Sequence, residues 1–163
     1  MGDLLPAEQA ESVSIGGAEV IFRMSGAETN GAYALLEFRL QPRRLIPPHA
    51  HSREHEVSYI LEGEIGIRIG PDELTATQGS IVVKRPQVTH AWWNAGASPA
   101  RVLETISPAG LESYFRELAD IHASRGFRDP GLVTDLQDRY GIRASADWIA
   151  PLKDRHGLKL LGE

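Results

Sequence analysis

The segment His49-Ala50-His51-Ser52-Arg53-Glu54-His55-Glu56 places three of the chain's six histidines within seven residues and ends on a carboxylate. Side chains alternate between the two faces of a strand, so His49 and His51 share one face and can approach a single ion in adjacent coordination positions. Glu56 follows His51 at an odd separation, which would turn it to the opposite face of an uninterrupted strand. Ser52 to His55 must therefore loop or bulge if Glu56 is to join the two histidines. His55 is the alternative to Glu56 as a ligand, or a donor behind the ligands; exposure in the loop is the simpler reading.

The fourth ligand is expected from the segment Gly79 to Asn94, where His90 stands just beyond a turn marked by Pro86. The chain has no cysteine, so a metal would be held by nitrogen and oxygen alone. Three imidazoles and a carboxylate suit one divalent transition metal per chain, Fe, Mn, Ni, Cu or Zn, and leave coordination positions open for water, substrate or dioxygen.

The surroundings of these histidines read as short β-rich runs from Val13 to Ile106, broken by Gly, Pro and Asn, which is the pattern of a barrel or sandwich. Ile65, Ile67 and Ile69 alternate with Gly66 and Arg68, so this strand should bury one face. Val57 to Leu61 runs into Glu62-Gly63 and is expected to form a hairpin with it, using Gly63 for a positive φ. Gly70-Pro71-Asp72-Glu73 marks the next turn. Further strands are expected over Ala32 to Leu40, Leu74 to Ala76, Ser80 to Val83, Thr89 to Trp93 and Ala100 to Ile106.

After Pro108 the period changes. Leu111, Tyr114, Phe115, Leu118, Ile121 and His122 recur at intervals of three and four, which predicts an amphipathic helix packed on the barrel. Asp129-Pro130 suits the start of a second helix carrying Leu132, Val133, Leu136 and Tyr140, with Gly141 placed to stop it. The tail from Arg143 is left open, and Leu158 to Gly162 reads equally as a docked strand or a frayed end. The expected organisation is one domain, with a barrel and its N-terminal strands over 1–107 and a helical extension and tail over 108–163.

Charge excludes some partners. With 17 basic against 22 acidic residues, a formal charge of -5 and no basic cluster, nucleic acid is not an expected partner. No apolar run approaches the ~20 residues of a membrane helix, and Met1 to Gln9 lacks the pattern of a signal peptide, so no membrane partner and a cytoplasmic location are expected.

The two histidine segments resemble the paired motifs of the cupin family, G-x5-H-x-H-x3-4-E-x6-G and G-x5-P-x-G-x2-H-x3-N. His49, His51, Glu56 and Gly63 match the first in type and spacing, although Arg43 stands where its leading glycine would be. The second matches more loosely: Gly79 precedes Pro86 by one residue too many and no glycine separates Pro86 from His90, yet His90 and Asn94 keep their interval. Pro108 to Phe115 and Arg139 to Ile142 are similar to elements that follow the barrel in single-domain cupins like the quercetin dioxygenases.

That resemblance implies an all-β, double-stranded β-helix of the jelly-roll type with C-terminal helices packed on it. The metal would lie between its two sheets, held by His49, His51, Glu56 and His90. It further implies a metal-dependent dioxygenase acting on a small aromatic or enol-bearing, flavonol-like substrate, with dioxygen as co-substrate and Glu56 as the base that removes the substrate proton. The same ligands would serve a non-oxidative cyclase or isomerase, and a barrel that binds a small molecule without turnover is a third reading. Trp92 and Asn94 share strand parity with His90 and are candidates for the substrate pocket, as are His55 and Tyr59. Trp93 should pack under a helix, and His122 and His156 read as structural or surface histidines. A homodimer is expected from the family and from the sheet edges such barrels leave to be covered.

Overall fold

The computed structural model describes residues 4–163; the first three residues of the Met1–Gln9 segment and of the 1–107 unit lie outside the described residues. Ten strands, β1 (Ser12–Ile15), β2 (Ala18–Met24), β3 (Ala34–Leu40), β4 (Arg44–His51), β5 (His55–Glu62), β6 (Glu64–Ile69), β7 (Asp72–Thr77), β8 (Ile81–Lys84), β9 (His90–Asn94) and β10 (Ala100–Ser107), precede helices α1 (Leu111–Arg125) and α2 (Pro130–Arg139). A short strand β11 (Ile142–Ala144), helix α3 (Ile149–His156) and β12 (Lys159–Leu160) complete the chain.

The strands form two sheets. One runs β1-β2-β3-β10-β5-β8, and the other runs β11-β4-β9-β6-β7 with β12 added to β4 in parallel. Strands adjacent in sequence therefore often sit in different sheets, which is what makes the double-stranded β-helix. The alternation in the sequence is the alternation of burial: Ile65 and Ile67 on β6 and Val102 and Ile106 on β10 are at most 1% exposed and meet between the sheets. A second apolar cluster lies outside the barrel, where Leu45 and Trp93 pack under Leu152 and Leu158 around α3.

The expected hairpin between Val57–Leu61 and Ile65–Ile69 does not form. Gly63 has the positive φ of 79°, but the chain there crosses from one sheet to the other: β5 pairs with β10 and β8, whereas β6 pairs with β7 and β9. A one-residue link at Gly63 serves this change of sheet, and local pattern does not distinguish it from a hairpin turn. The Gly70-Pro71 turn does join a hairpin, β6–β7.

Both helices predicted after Pro108 form. Asp129 caps α2 by accepting the Gly131 N–H, with Pro130 in the first turn, and Gly141 follows its end at φ 65°. The open tail resolves into structure: Ile142 pairs with His51 and Lys159 with Arg44, so β11 and β12 both line the same edge of β4, and α3 links them. Among the described residues no helix is long and apolar enough to cross a membrane.

Candidate metal centre

The centre is built from three strands of the two sheets. On β4, Pro47 and Pro48 cannot donate to the ladder, and the register against β9 slips there by one residue: Ile46 faces Trp92 whereas His49 faces His90. This bulge sets the parity of the histidines, since Ile46 and His49, three residues apart, both border the interior cavity. His49 and His51 then share the inward face, as expected from their spacing. Their ring centroids are 4.8 Å apart, and that of His90 on β9 lies 4.4 Å from His49 and 5.5 Å from His51.

Ser52 to Glu54 form the loop that the odd separation of His51 and Glu56 requires, and it carries the chain into the other sheet. Within it the buried Glu54 carboxylate accepts a hydrogen bond from exposed Arg53 Nε at 2.7 Å. His55 opens β5 with its side chain exposed, away from the cluster. Glu56 points inward and closes the set: Glu56 Oε2 lies 3.0 Å from His90 Nε2 and 3.4 Å from His51 Nε2. One ligand atom from each of His49, His51, Glu56 and His90 lies within 4.8 Å of the others.

These residues fit a metal. His49 Nδ1 is 2.8 Å from the Pro47 carbonyl and His90 Nδ1 is 3.2 Å from that of Val88, which assigns the protons to Nδ1 and leaves both Nε2 lone pairs facing inward. His51 Nε2, His90 Nε2 and Glu56 Oε2 are buried without a hydrogen-bond partner among the described residues. Acceptors this close repel one another unless a cation lies among them, and ligand atoms bound at about 2.1 Å and near right angles are separated by about 3 Å. Burial, with His90 and His51 alongside, keeps His49 well below its ordinary pKa, and burial likewise lowers His90. Neutral imidazole is the form that binds metal.

A second layer, which the strand pattern could have disclosed, lies behind Glu56. Lys84 shares the inward parity of Val82 on β8 and is 2% exposed; Lys84 Nζ sits 3.2 Å from Glu56 Oε2 and 2.9 Å from Glu104 Oε2. Ser58 Oγ donates to the same Glu104 oxygen at 2.8 Å. Burial opposes the charge on Glu56, but Lys84 and His51 overcome it and hold the carboxyl well below the usual range. Glu104 has the opposite balance: burial dominates and its pKa is pushed up to about 7. The signal was an ionisable residue at an apolar parity position, Lys84 after Val82 and Glu104 between Val102 and Ile106.

The cluster opens into a cavity of about 600 Å³ whose far walls come from the helices. Trp92, Phe38, Phe115, Leu118 and Val133 make it chiefly apolar. Trp92 thus lies where its parity with His90 suggested. Other candidates are elsewhere. Tyr59 is 43% exposed on the outer face of its sheet, and Asn94 is buried at the end of β9, donating to the carbonyls of Leu40 and Ser98 and accepting from Gly96 N–H. Trp93 packs under α3 and stacks on His156, whose Nε2 is 3.1 Å from Glu73; His122 packs against Phe127.

The two departures from the motif glycines are conformationally informative. Arg43 has φ 60° and Gln87 φ 64°, so the backbone keeps left-handed turns there without glycine.

Comparison with known proteins agrees with this fold. Residues 36–106 match the Cupin domain family model. A germin-like protein subfamily 2 member 2 of Arabidopsis thaliana is 29% identical over 123 residues, 72% of this chain and 53% of that protein, so the chain spans about half the length of this curated relative. KdgF from Halomonas sp. superposes with a TM-score of 0.61 at 12% identity, over 68% of this chain and 99% of the other. An RmlC-like cupin from Shewanella frigidimarina gives 0.56 at 24% identity, over 66% and 92%. At such identities the solved structures establish the fold alone. Residues 36–106 are thus similar to the Cupin domain family, and the chain as a whole has the cupin jelly-roll fold with C-terminal helices closing one side of the barrel.

Proposed function

We propose that this chain is a cytoplasmic, metal-dependent dioxygenase of the quercetinase-like type, acting on a small aromatic or enol-bearing substrate. The observation that carries the reading is the joining of a three-histidine, one-carboxylate cluster to a large apolar cavity. A bound transition metal would be held by His49, His51, Glu56 and His90 and would supply Lewis acidity toward an ionised hydroxyl and a site for dioxygen. The protein's part is to bind, orient and desolvate. Phe38, Trp92 and Phe115 take the apolar body of the substrate, and the helices α1 and α2 exclude water. The Glu56 carboxylate receives the substrate hydroxyl proton, and Lys84 Nζ, 3.2 Å from Oε2, steadies it while it is charged.

The buried pair Lys84 and Glu104 favours a second reading, a non-oxidative isomerase or cyclase in which proton movement alone does the work. Oxygen uptake with a panel of flavonols and enolisable ketones separates the two. The dioxygenase reading expects stoichiometric oxygen consumption and no turnover under nitrogen; equal turnover under nitrogen overturns it in favour of the second.

We further propose a homodimer. Tyr59, Ile81 and Val83 project from neighbouring positions of the outer sheet face, exposed by 43%, 64% and 45%, and β8 forms the sheet's edge. A second copy of this chain, bringing the same apolar face, is the occupant that matches it.

A further inference from the structure

Not all of the unpartnered polar atoms in the barrel are explained by a metal. His51 Nε2, His90 Nε2 and Glu56 Oε2 belong to the ligand cluster. Glu104 Oε1 does not. Glu104 is 2% exposed, borders the same cavity as His49, His51 and Glu56, and lies outside the four-residue cluster. Its two oxygens are used unequally: Oε2 accepts from Lys84 Nζ at 2.9 Å and from Ser58 Oγ at 2.8 Å, whereas Oε1 accepts from no donor among the described residues. The register explains why. Ser58 faces Glu104 directly across β5 and β10, and Glu56 faces Lys84 across β5 and β8, so both donors reach Glu104 from the same side.

We propose that Glu104 is a specificity-determining residue whose free Oε1 accepts a hydrogen bond from a ligand hydroxyl adjacent to the group held at the three-histidine centre. This rests on the reading of the cavity as the substrate site. Above its pKa of about 7 Glu104 is ionised, and an oxygen held in place by Lys84 and Ser58 then takes a donor without moving, whereas an ether or a second carboxylate in the same place sets lone pair against lone pair. The ligand class is therefore an apolar, preferably aryl, molecule with two neighbouring oxygen functions, one ionised and one still bearing its proton. A site built to receive a hydroxyl rejects an analogue lacking it far more strongly than an apolar pocket rejects a change of size.

The test compares catechol with 2-methoxyphenol by titration calorimetry on zinc-reconstituted protein under nitrogen at a pH above 7, where Glu104 is ionised. Wild type is expected to bind catechol at least about tenfold tighter, and Glu104→Leu to reduce the preference to less than about threefold. The double variant K84M/E104L, which replaces the buried ionic pair with apolar groups and leaves only Glu56 without its lysine, is expected to lose the preference equally. Equal affinities in wild type overturn the proposal, and that arm needs no variant. A preference that survives in either variant also overturns it, because chelation by the metal would then be its source. Since binding is measured without oxygen, failure of the dioxygenase reading shows separately, as absent oxygen uptake with the binding preference intact.

Discussion

His49 and His90 are direct cross-strand neighbours on β4 and β9, with ring centroids 4.4 Å apart, and each donates its Nδ1 proton to a backbone carbonyl two residues earlier. The pairing exists because the Pro47–Pro48 bulge brings His49 round to the cavity side. Substituting either residue removes one ligand and leaves the other ring unsupported. His49→Ala and His90→Ala should each weaken zinc binding by more than about 100-fold in competition with a chromophoric chelator, beyond the effect of losing a group that only orients a ligand. Metal content equal to wild type in either variant would contradict the ligand set.

Lys84 stands between two buried carboxylates, and its loss strands them. Burial disfavours its charge, but Glu104 and Glu56 outweigh that and raise its pKa. Lys84→Met should destabilise the fold by about 3 kcal/mol in urea denaturation, and K84M/E104L should recover most of that, because removing both partners leaves less uncompensated charge. A double variant no more stable than the single one would show that Glu104 does not depend on Lys84.

Acid sensitivity has an identifiable contributor on the outer face of the first sheet. Burial works against the Glu37 carboxylate, but Arg101 and Arg23, at 2.9 and 2.6 Å, hold its pKa down at about 2 against an ordinary 4.5. A depressed carboxyl pKa stabilises the fold fully above the unfolded value and loses that contribution as pH falls from 4.5 towards 2. Glu37→Gln should cost about 1–2 kcal/mol at neutral pH, a figure reduced for solvent access to the arginines, and the difference should vanish at the acid end of that window.

The left-handed turn before His90 is made by an exposed glutamine. Gln87 at φ 64° bears the steric penalty of a Cβ that glycine would lack. Gln87→Gly should raise thermal stability by the equivalent of about 0.5 kcal/mol, the relief of strain being partly offset by the freer unfolded chain. A lower melting temperature would mean that the glutamine side chain compensates for its backbone.

The proposed dimer face is tested by one charge. Ile81→Lys should convert a dimer to a monomer in sedimentation equilibrium, leaving the circular dichroism spectrum unchanged. A wild-type monomer at micromolar concentration would refute the homodimer.

Periodicity and spacing revealed much of this protein. Alternation at Ile65, Ile67 and Ile69, the shift to a three-four period after Pro108, and the Asp129-Pro130 start are local signals, and local signals are what a sequence carries without ambiguity. The spacing of His49 and His51 belongs with them. Tertiary structure decided what depends on which strands become neighbours. Gly63 changes sheets instead of closing a hairpin, and the tail supplies β11 and β12 to the edge of β4. The parity of the histidines with Ile46 comes from a bulge at Pro47–Pro48, a feature the motif spacing does not mention. Glu56 enters from the opposite sheet, so its odd separation from His51 concerns a crossing and not a single strand. Lys84 and Glu104 are 20 residues apart, and only the pairing of β5 with both β8 and β10 makes them partners. Ligand types and spacings are written along one dimension. The electrostatic layer behind them arises from strand order, which is fixed when two sheets bury their apolar faces against each other.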